Sequence, residues 1–177
     1  IRTLVQDAVG EGALDSQEAQ YIEKIFEFGN KSLRDIMRPR SDIQFLSADL
    51  PVPELIAEIK ATRQSRYPVF RGRRDMILGI LHTRDLLGVD LARLERDPQG
   101  FRKLLRQPNF FPESKPAVEL FHDFRQRKLS FGLIVDEYGG VTGLITMEDL
   151  LECVFGEIVS PSDTEAVNKY VLTELAD

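Results

Sequence analysis

An internal repeat constrains this chain more than any other feature, because a motif of the first half returns in the second. Residues 76–87 (MILGILHTRDLL) recur 64 positions later as residues 140–151 (GVTGLITMEDLL). A glycine, the two apolar residues after it, an aspartate and a closing Leu-Leu coincide. Two copies of one unit that face each other create clefts between them, so the repeat also indicates where a ligand would bind.

The repeat extends upstream and predicts the same elements in both copies. Residues 52–60 and 117–125 carry apolar side chains at helical spacing, which predicts an amphipathic helix with one buried face. A short apolar run follows in each copy, at 67–70 and 131–135, and is typical of a strand. A polar turn, a second strand and a final helix complete the unit.

The second strand of each copy passes through the repeated glycine, Gly79 or Gly143, and a helix opens after it at Thr83 or Thr146. The turn before that strand is predicted at 71–75 in the first copy and at 136–140 in the second, where Gly139-Gly140 supplies the positive φ of a tight hairpin. Each copy reads strand–helix–strand–strand–helix in about 50 residues, near the small end for independent folding. We therefore expect an α+β fold in which two copies pack sheet against sheet as a pseudo-two-fold pair.

The flanks outside the repeat are also interpretable. Residues 1–30 have apolar positions at helical spacing on either side of Gly10-Glu11-Gly12, and Asp15 with Glu18 fits a capping box at the second helix. The limits of the copies predict five segments: an N-terminal helical lead-in at 1–34, a first repeat at 35–90, a helical linker at 91–104, a second repeat at 105–156, and a polar tail at 157–177.

Length and composition fit one compact module. The chain has 177 residues, of which 42% are hydrophobic, and no window approaches the roughly 20 apolar residues of a membrane helix. It has neither an initiator Met nor a signal-peptide pattern, so we expect an excised fragment. The single cysteine, Cys153, excludes an intrachain disulfide framework and indicates a reducing, cytoplasmic setting. A buried structural thiol is the expected state of Cys153.

The net charge of −6 conceals an asymmetry along the chain. Residues 136–177 hold ten acidic side chains and one basic, whereas residues 34–84 hold ten basic against six acidic. A basic sector suits a nucleic acid, a membrane surface or a phosphorylated ligand. The basic residues are scattered over strands, turns and helices, without the aromatic interleaving of single-strand binders, so we expect no nucleic-acid partner.

Taken together, these features resemble a tandem of CBS domains, a Bateman module, over about residues 35–156. Gly143, Thr146 and Asp149 match that family's ribose-binding signature. The order and spacing of four further segments resemble the CorC/HlyC family of magnesium and cobalt efflux proteins, related to the cyclin-M transporters. These segments are 35–43 (DIMRPRSDI), 65–70 (SRYPVF), 79–82 (GILH) and 135–140 (VDEYGG).

The resemblance implies a nucleotide-binding role for residues of both copies. An ionised Asp149 offers two acceptor oxygens to adjacent ribose hydroxyls, and Thr146 adds a hydroxyl contact. The alternative is that both residues only cap a helix, as Thr and Asp commonly do. Other expected contacts supply an apolar slot for the base and cations for phosphates, with Tyr67 and Phe131 either stacking or simply packing, and each Arg alternatively a solvated charge. The implied set is Arg38, Arg66, Tyr67, Pro68, Phe131, Gly132, Thr146 and Asp149.

The first copy departs from the signature, since His82 stands where Thr146 stands, with Thr83 beside it and Asp85 retained. His82 either donates to a ribose or phosphate or merely fills the cleft. We therefore expect two inequivalent clefts, with the weaker one at these three residues.

The resemblance implies a regulatory, non-enzymatic module that binds an adenine nucleotide, ATP or AMP, with or without Mg²⁺. A homodimer of CBS pairs and the transport domain of a parent protein are the expected partners. The sequence has no zinc-ligand spacing, serine-nucleophile motif or phosphate-binding glycine loop, and no metal site is expected. The competing hypothesis is a dimerisation scaffold whose cleft holds no nucleotide.

Overall fold

The structure, a computed structural model, describes residues 16–155. Its contacts divide the chain into two compact units that do not follow the repeat boundaries. We call the first the helical unit; within the described residues it consists of 16–36, 114–130 and 145–155. The second, the sheet unit, consists of Met37–Glu113 and Phe131–Leu144.

The described part of the helical unit contains the helices α1 (Ser16–Gly29), α2 (Leu33–Ile36), α6 (Ala117–Arg127) and α7 (Met147–Phe155). In α6, Ala117, Leu120 and Phe124 recur at helical spacing and all three are fully buried. That helix ends where Lys128 adopts a left-handed conformation, with φ of 53°. Contacts join α1 to α6 and α7, and α2 and α6 to α7.

Helices at the N-terminal end are thus present, with α1 in the predicted place. The first predicted helix, the Gly10–Gly12 break, the Asp15 cap and the tail beyond residue 156 lie outside the described residues.

Cys153 lies in α7 and is partly rather than fully buried. Burial raises the pKa of its thiol, and the neighbouring carboxylates of Asp149 and Glu152 act in the same direction against Lys31. The thiol is therefore protonated at neutral pH, which suits a structural rather than a reactive cysteine.

Two sheets lie in the sheet unit. Their strands are β1 (Arg38–Pro39), β2 (Leu46–Ser47), β3 (Arg66–Arg71), β4 (Arg73–His82), β5 (Phe110–Pro112), β6 (Phe131–Val135) and β7 (Val141–Thr146). One sheet has the order β2-β3-β4, with β2 parallel to β3 and β3 antiparallel to β4. The other has the order β1-β7-β6-β5, and only the last two residues of β7 fall in the helical unit.

The opening segment of each copy pairs with a strand of the other copy. β1 pairs antiparallel with β7, which places Arg38 opposite Leu144. Arg106, at the start of the second copy, bridges Ile80 of the first through two backbone hydrogen bonds of 2.9 Å. Ile80 and Leu144 are equivalent in the repeat, so Arg38 and Arg106 occupy equivalent positions. This reciprocal pairing is the expected pseudo-two-fold relation between the copies.

The two copies share a hydrophobic core inside the sheet unit. Ile43 and Ile80 of the first copy pack with three residues of the second, Leu133, Val141 and Leu144. A second cluster lies within the first copy and its linker. Burying each such side chain stabilises the fold by about 1.5–3 kcal/mol. The second cluster consists of Leu46, Leu55, Tyr67, Val69, Leu81, Leu94 and Phe101.

The linker forms two short helices. The Asp90 carboxylate accepts hydrogen bonds from the N–H groups of Ala92 and Arg93, at 3.0 and 3.2 Å, and so caps the first. Asp97 caps the second through the N–H of Gln99, so this helix begins at Pro98. The helices of the sheet unit are α3 (Val52–Thr62), α4 (Leu91–Arg96) and α5 (Pro98–Leu104).

Two local features of the first copy differ from expectation. Its final helix is only a 3-10 turn at Thr83–Leu86, followed at Gly88 by a positive φ of 79° that ends the segment. The turn predicted over 71–75 is confined to Gly72, with φ of 66°, because β3 and β4 continue to the residues on either side of it.

Candidate functional site

Thr146 and Asp149 form a closed pair where β7 ends and α7 begins. One carboxylate oxygen of Asp149, Oδ2, accepts hydrogen bonds from the N–H of Thr146 at 2.8 Å and from its hydroxyl at 2.6 Å. The N–H of Asp149 donates in return to Thr146 Oγ1 at 3.2 Å. This reciprocal arrangement is a capping box with Asp in the usual Glu position. The capping role that the sequence left open is therefore present.

Asp149 is also buried, with 9% of its surface exposed. Among the described residues, it and Glu113 are the buried charged side chains. Acidic side chains are rarely buried unless hydrogen bonds compensate for the lost water. The first N–H groups of α7 lie beside it and favour negative charge. These hydrogen bonds hold the Asp149 carboxylate in one orientation at the start of α7.

In the sheet unit, the structure brings together Arg66, His82 and Phe131. Arg66 lies opposite His82 in the pairing of β3 with β4. The Arg66 guanidinium carbon lies 5.9 Å from the centroid of the Phe131 ring, a cation–π contact that joins a strand of the first copy to a strand of the second. A base that stacked on this face of Phe131 would compete with the guanidinium.

Tyr67 packs in the core. Its side chain is fully buried, and its hydroxyl lies 2.7 Å from Thr62 Oγ1 and accepts a hydrogen bond of 2.8 Å from the N–H of Gln64. Of the two alternatives for this ring, stacking or packing, the structure shows packing. Pro68 and Gly132 are also buried and lie in β3 and β6.

The predicted nucleotide residues are divided between the two units. Thr146 and Asp149 belong to the helical unit. The remainder belong to the sheet unit, where Arg38 is exposed in β1. These remaining residues are Arg38, Arg66, Tyr67, Pro68, Phe131 and Gly132.

In the first copy, Asp85 is held by a residue that the sequence did not single out. Arg106 donates from Nε to Asp85 Oδ2 and from Nη2 to Oδ1, both at 2.9 Å. This bidentate bond lowers the pKa of Asp85 and raises that of Arg106. Nothing in the sequence repeat marked Arg106, because its correspondence to Arg38 follows from the backbone pairing of the two copies.

The two other residues of the first cleft have different partners. Thr83 donates from its N–H and its hydroxyl to the carbonyl of Ser65, at 3.0 and 3.3 Å. Burial lowers the pKa of His82, and the positive charges of Arg106 and Arg66 lower it further. The imidazole is therefore neutral at pH 7.

A second unpredicted cluster ties the copies together. Asp75 Oδ1 accepts from Arg40 Nη1 at 2.5 Å and from the N–H of Val141 at 3.0 Å. The same Arg40 nitrogen donates to the carbonyl of Val141 at 2.9 Å. The hydrogen bond from Arg40, followed by that from Val141, lowers the pKa of Asp75. Asp75 was predicted only as part of a turn, because nothing in its local sequence shows a partner 66 residues away.

Within residues 16–155 there is no cluster of three or more His, Cys, Asp or Glu side chains that could hold a metal ion. No helix in the same part of the chain is long and apolar enough to cross a membrane.

The CBS domain profile matches residues 33–92 and 103–156, one match for each copy. The chain belongs to the CBS-domain family. Among curated proteins it is 35% identical over 164 residues to the magnesium and cobalt efflux protein CorC of Pasteurella multocida, covering 93% of this chain and 54% of the relative. The corresponding protein of Escherichia coli K12 is 33% identical over 162 residues, covering 92% of this chain and 55% of the relative. This CBS module thus spans about half the length of these relatives.

Solved structures agree with this assignment. The CBS domain of a bacterial CNNM/CorC family Mg²⁺ transporter matches with a TM-score of 0.77 and 33% identity, over 90% of this chain and 96% of that one. Such a domain in complex with ATP matches at 0.70 and 35%, over 80% and 99%. A CBS-domain pair from Klebsiella pneumoniae with bound AMP matches at 0.61 and 27%, over 68% and 95%. The tandem CBS fold and the resemblance to the CorC/HlyC family are confirmed.

Proposed function

We propose that this CBS pair is a regulatory module that binds an adenine nucleotide, ATP or AMP, and belongs to a CorC-like magnesium and cobalt efflux protein. The observation that carries the proposal is the buried carboxylate of Asp149, fixed by Thr146 at the start of α7. The ATP and AMP complexes of related CBS domains support the choice of ligand.

Each residue of the proposed site has a chemical role. Asp149 accepts hydrogen bonds from two adjacent ribose hydroxyls, and Thr146 adds its own hydroxyl. The guanidinium groups of Arg38 and Arg66 suit the bidentate geometry of phosphate oxygens. Gly132 has no side chain, which lets a base approach the backbone of β6.

Three residues contribute less directly. Phe131 contacts the base only if Arg66 leaves its ring, so a stacked base and a phosphate-bound Arg66 are compatible. Tyr67 and Pro68 support β3 from the core and contribute their backbone rather than a stacking ring. When ATP is the ligand, Mg²⁺ accompanies the phosphates.

The mechanism that we propose is a population shift. A ligand that makes more contacts in one conformation stabilises that conformation by its difference in affinity for the two. The shift in conformational population would be transmitted to the transport domain of the parent protein. We propose that the module acts as a homodimer of CBS pairs at the cytoplasmic face of the membrane. No catalytic step is proposed.

Mass action provides a test in this chain alone. A ligand present at 100 times its Kd stabilises the native state by about 2.7 kcal/mol. We expect ATP or AMP to raise the melting temperature, and GTP at equal concentration and ionic strength to do so less. An unchanged melting temperature with each nucleotide at millimolar concentration would contradict the proposal.

One observation favours a second function, a dimerisation scaffold without nucleotide. The capping box alone accounts for an acid and a threonine at this spacing. A stable dimer that no adenine nucleotide stabilises would support the scaffold.

A further inference from the structure

The first copy retains the acid of the ribose signature, yet Arg106 already engages it. Asp85 is equivalent in the repeat to Asp149. Ribose hydroxyls are donors and require acceptor oxygens on the carboxylate. In the first copy, both oxygens of Asp85 accept hydrogen bonds of 2.9 Å from Arg106. A ribose at this position would therefore have to displace a bidentate, charge-assisted pair.

The backbone holds Arg106 in place. Its N–H and carbonyl both bond to Ile80, at 2.9 Å. Gly79 permits this close approach, since a Cβ at that position would lie 2.7 Å from Leu105 Cβ and 2.8 Å from the carbonyl oxygen of Arg106. This backbone bridge to Ile80 thus positions the Arg106 guanidinium beside Asp85. Arg106 lies at the start of the second copy, so a residue of the second copy occupies the carboxylate that would bind ribose in the first.

The charges around Asp85 identify Arg106 as its principal partner. Arg84 is adjacent, but its Nε lies 3.9 Å from Asp85 Oδ1 and 67% of its side chain is exposed. The Arg106 side chain is 47% exposed, so its guanidinium can be removed without emptying a core position. His82, next to Asp85 in space, is neutral and can donate one ring N–H to a hydroxyl.

We propose that Arg106 is a specificity-determining residue that excludes ribose from the first copy, so that the chain takes one nucleotide instead of two. This inference rests on the proposed function, because it concerns the same ligand. It accounts for the retention of an aspartate in a cleft that the nucleotide does not use: the acid anchors the opening segment of the second copy.

Calorimetric titration with ATP-Mg²⁺ and with AMP tests the proposal through stoichiometry. We expect one site per chain in the wild type and two in Arg106→Gln, which keeps the backbone pairing but loses both charge-assisted bonds. Arg84→Gln removes the same charge from the same neighbourhood and is the matched control; it should keep one site. The double variant Arg106→Gln/Asp85→Ala should return to one site, since the acid that receives the second ribose is gone.

The outcomes separate this inference from the proposed function. One site in both the wild type and a folded Arg106→Gln overturns the inference and leaves the proposed function standing, and two sites in the wild type also overturn it. No site in the wild type but one in Arg106→Gln supports the inference and removes the proposed role of Asp149. Absence of binding in both contradicts both, and thermal melts confirm that each variant is folded.

Discussion

At the scale of single residues, one carboxylate performs two separable tasks. Asp149 closes a capping box with Thr146, and it is the proposed ribose acceptor. A cap requires one acceptor oxygen, whereas two ribose hydroxyls require more acceptor capacity. Substitutions that preserve an acceptor but remove the charge therefore distinguish the two tasks.

Asp149→Asn should keep most of the stability and lose nucleotide affinity. The amide oxygen can still accept a hydrogen bond from Thr146. The ribose hydroxyls, however, lose their hydrogen bonds to a charged carboxylate, which are worth about 1.5–3 kcal/mol. We expect affinity to fall by about 10- to 100-fold. Asp149→Ala should lose the affinity and also about 1 kcal/mol of stability from the cap. Urea unfolding together with nucleotide titration measures both quantities.

Equal affinity of Asp149→Asn and the wild type would remove the ribose role. The matched control is Asp97→Asn, which alters the cap of α5 in the sheet unit and should leave affinity unchanged.

Asp75 should make stability depend on acid pH. Its pKa is held below the ordinary value by Arg40 and by the N–H of Val141, so its contribution to stability is present above the unfolded value near 3.8. That contribution is lost as the pH falls through the lower folded pKa. Asp75→Ala should cost about 1–2 kcal/mol at pH 7, because it also leaves a backbone N–H without this acceptor.

Urea denaturation of the wild type and Asp75→Ala at pH 7 and pH 3 measures this effect. The difference in free energy of unfolding between the wild type and Asp75→Ala should be smaller at pH 3 than at pH 7. A difference that stays constant would show that the carboxylate acts through packing and not through its charge. Asp42→Ala offers a control, since Asp42 is an exposed acid whose carboxylate accepts a hydrogen bond from its neighbour Ser41.

At the scale of elements, the repeated glycines are close-approach positions. A Cβ at Gly143 would lie 2.9 Å from the carbonyl oxygen of Arg38, and would also overlap the side chain of Met37. Backbone atoms cannot yield as a flexible side chain does, so β1 would have to move away from β7. The glycine of the ribose signature thus serves the exchange of opening segments between the copies.

Gly143→Ala should therefore destabilise the chain by about 1–3 kcal/mol, the usual cost of overpacking. Gly29→Ala is the control, because its Cβ would meet nothing within 4 Å and its φ is not positive. Chemical denaturation of both variants tests this. If Gly143→Ala is as stable as the wild type, the close pairing of β1 with β7 is wrong.

The sequence predicted elements best where periodicity was strong. The helices at 52–60 and 117–125 appear as α3 and α6, since their apolar positions repeat every three or four residues. The final helix of the first copy was less predictable, because His82 replaces the capping Thr and the segment stops at a 3-10 turn. A segment of a few residues is too short to show a helical period, so its sequence does not distinguish an α-helix from a 3-10 turn.

At the scale of the whole molecule, the internal repeat predicted two packed α+β copies, because each copy alone is too small to bury a large core. Contacts that depend on pairing between distant residues were not predictable, as with Asp85 and Arg106 or Asp75 and Arg40. The division into a helical and a sheet unit was also missed, because it cuts across the copies. Local pattern identifies elements, whereas these features depend on how the elements pair.

The central claim is that an adenine nucleotide binds through Asp149, and calorimetric titration of the wild type and Asp149→Asn with ATP, ADP and AMP, each with and without Mg²⁺, tests it most directly. We predict saturable binding of one nucleotide per chain in the wild type, weakened at least tenfold in a folded Asp149→Asn. No saturable heat with any nucleotide in a folded wild-type protein would contradict the account and favour the scaffold.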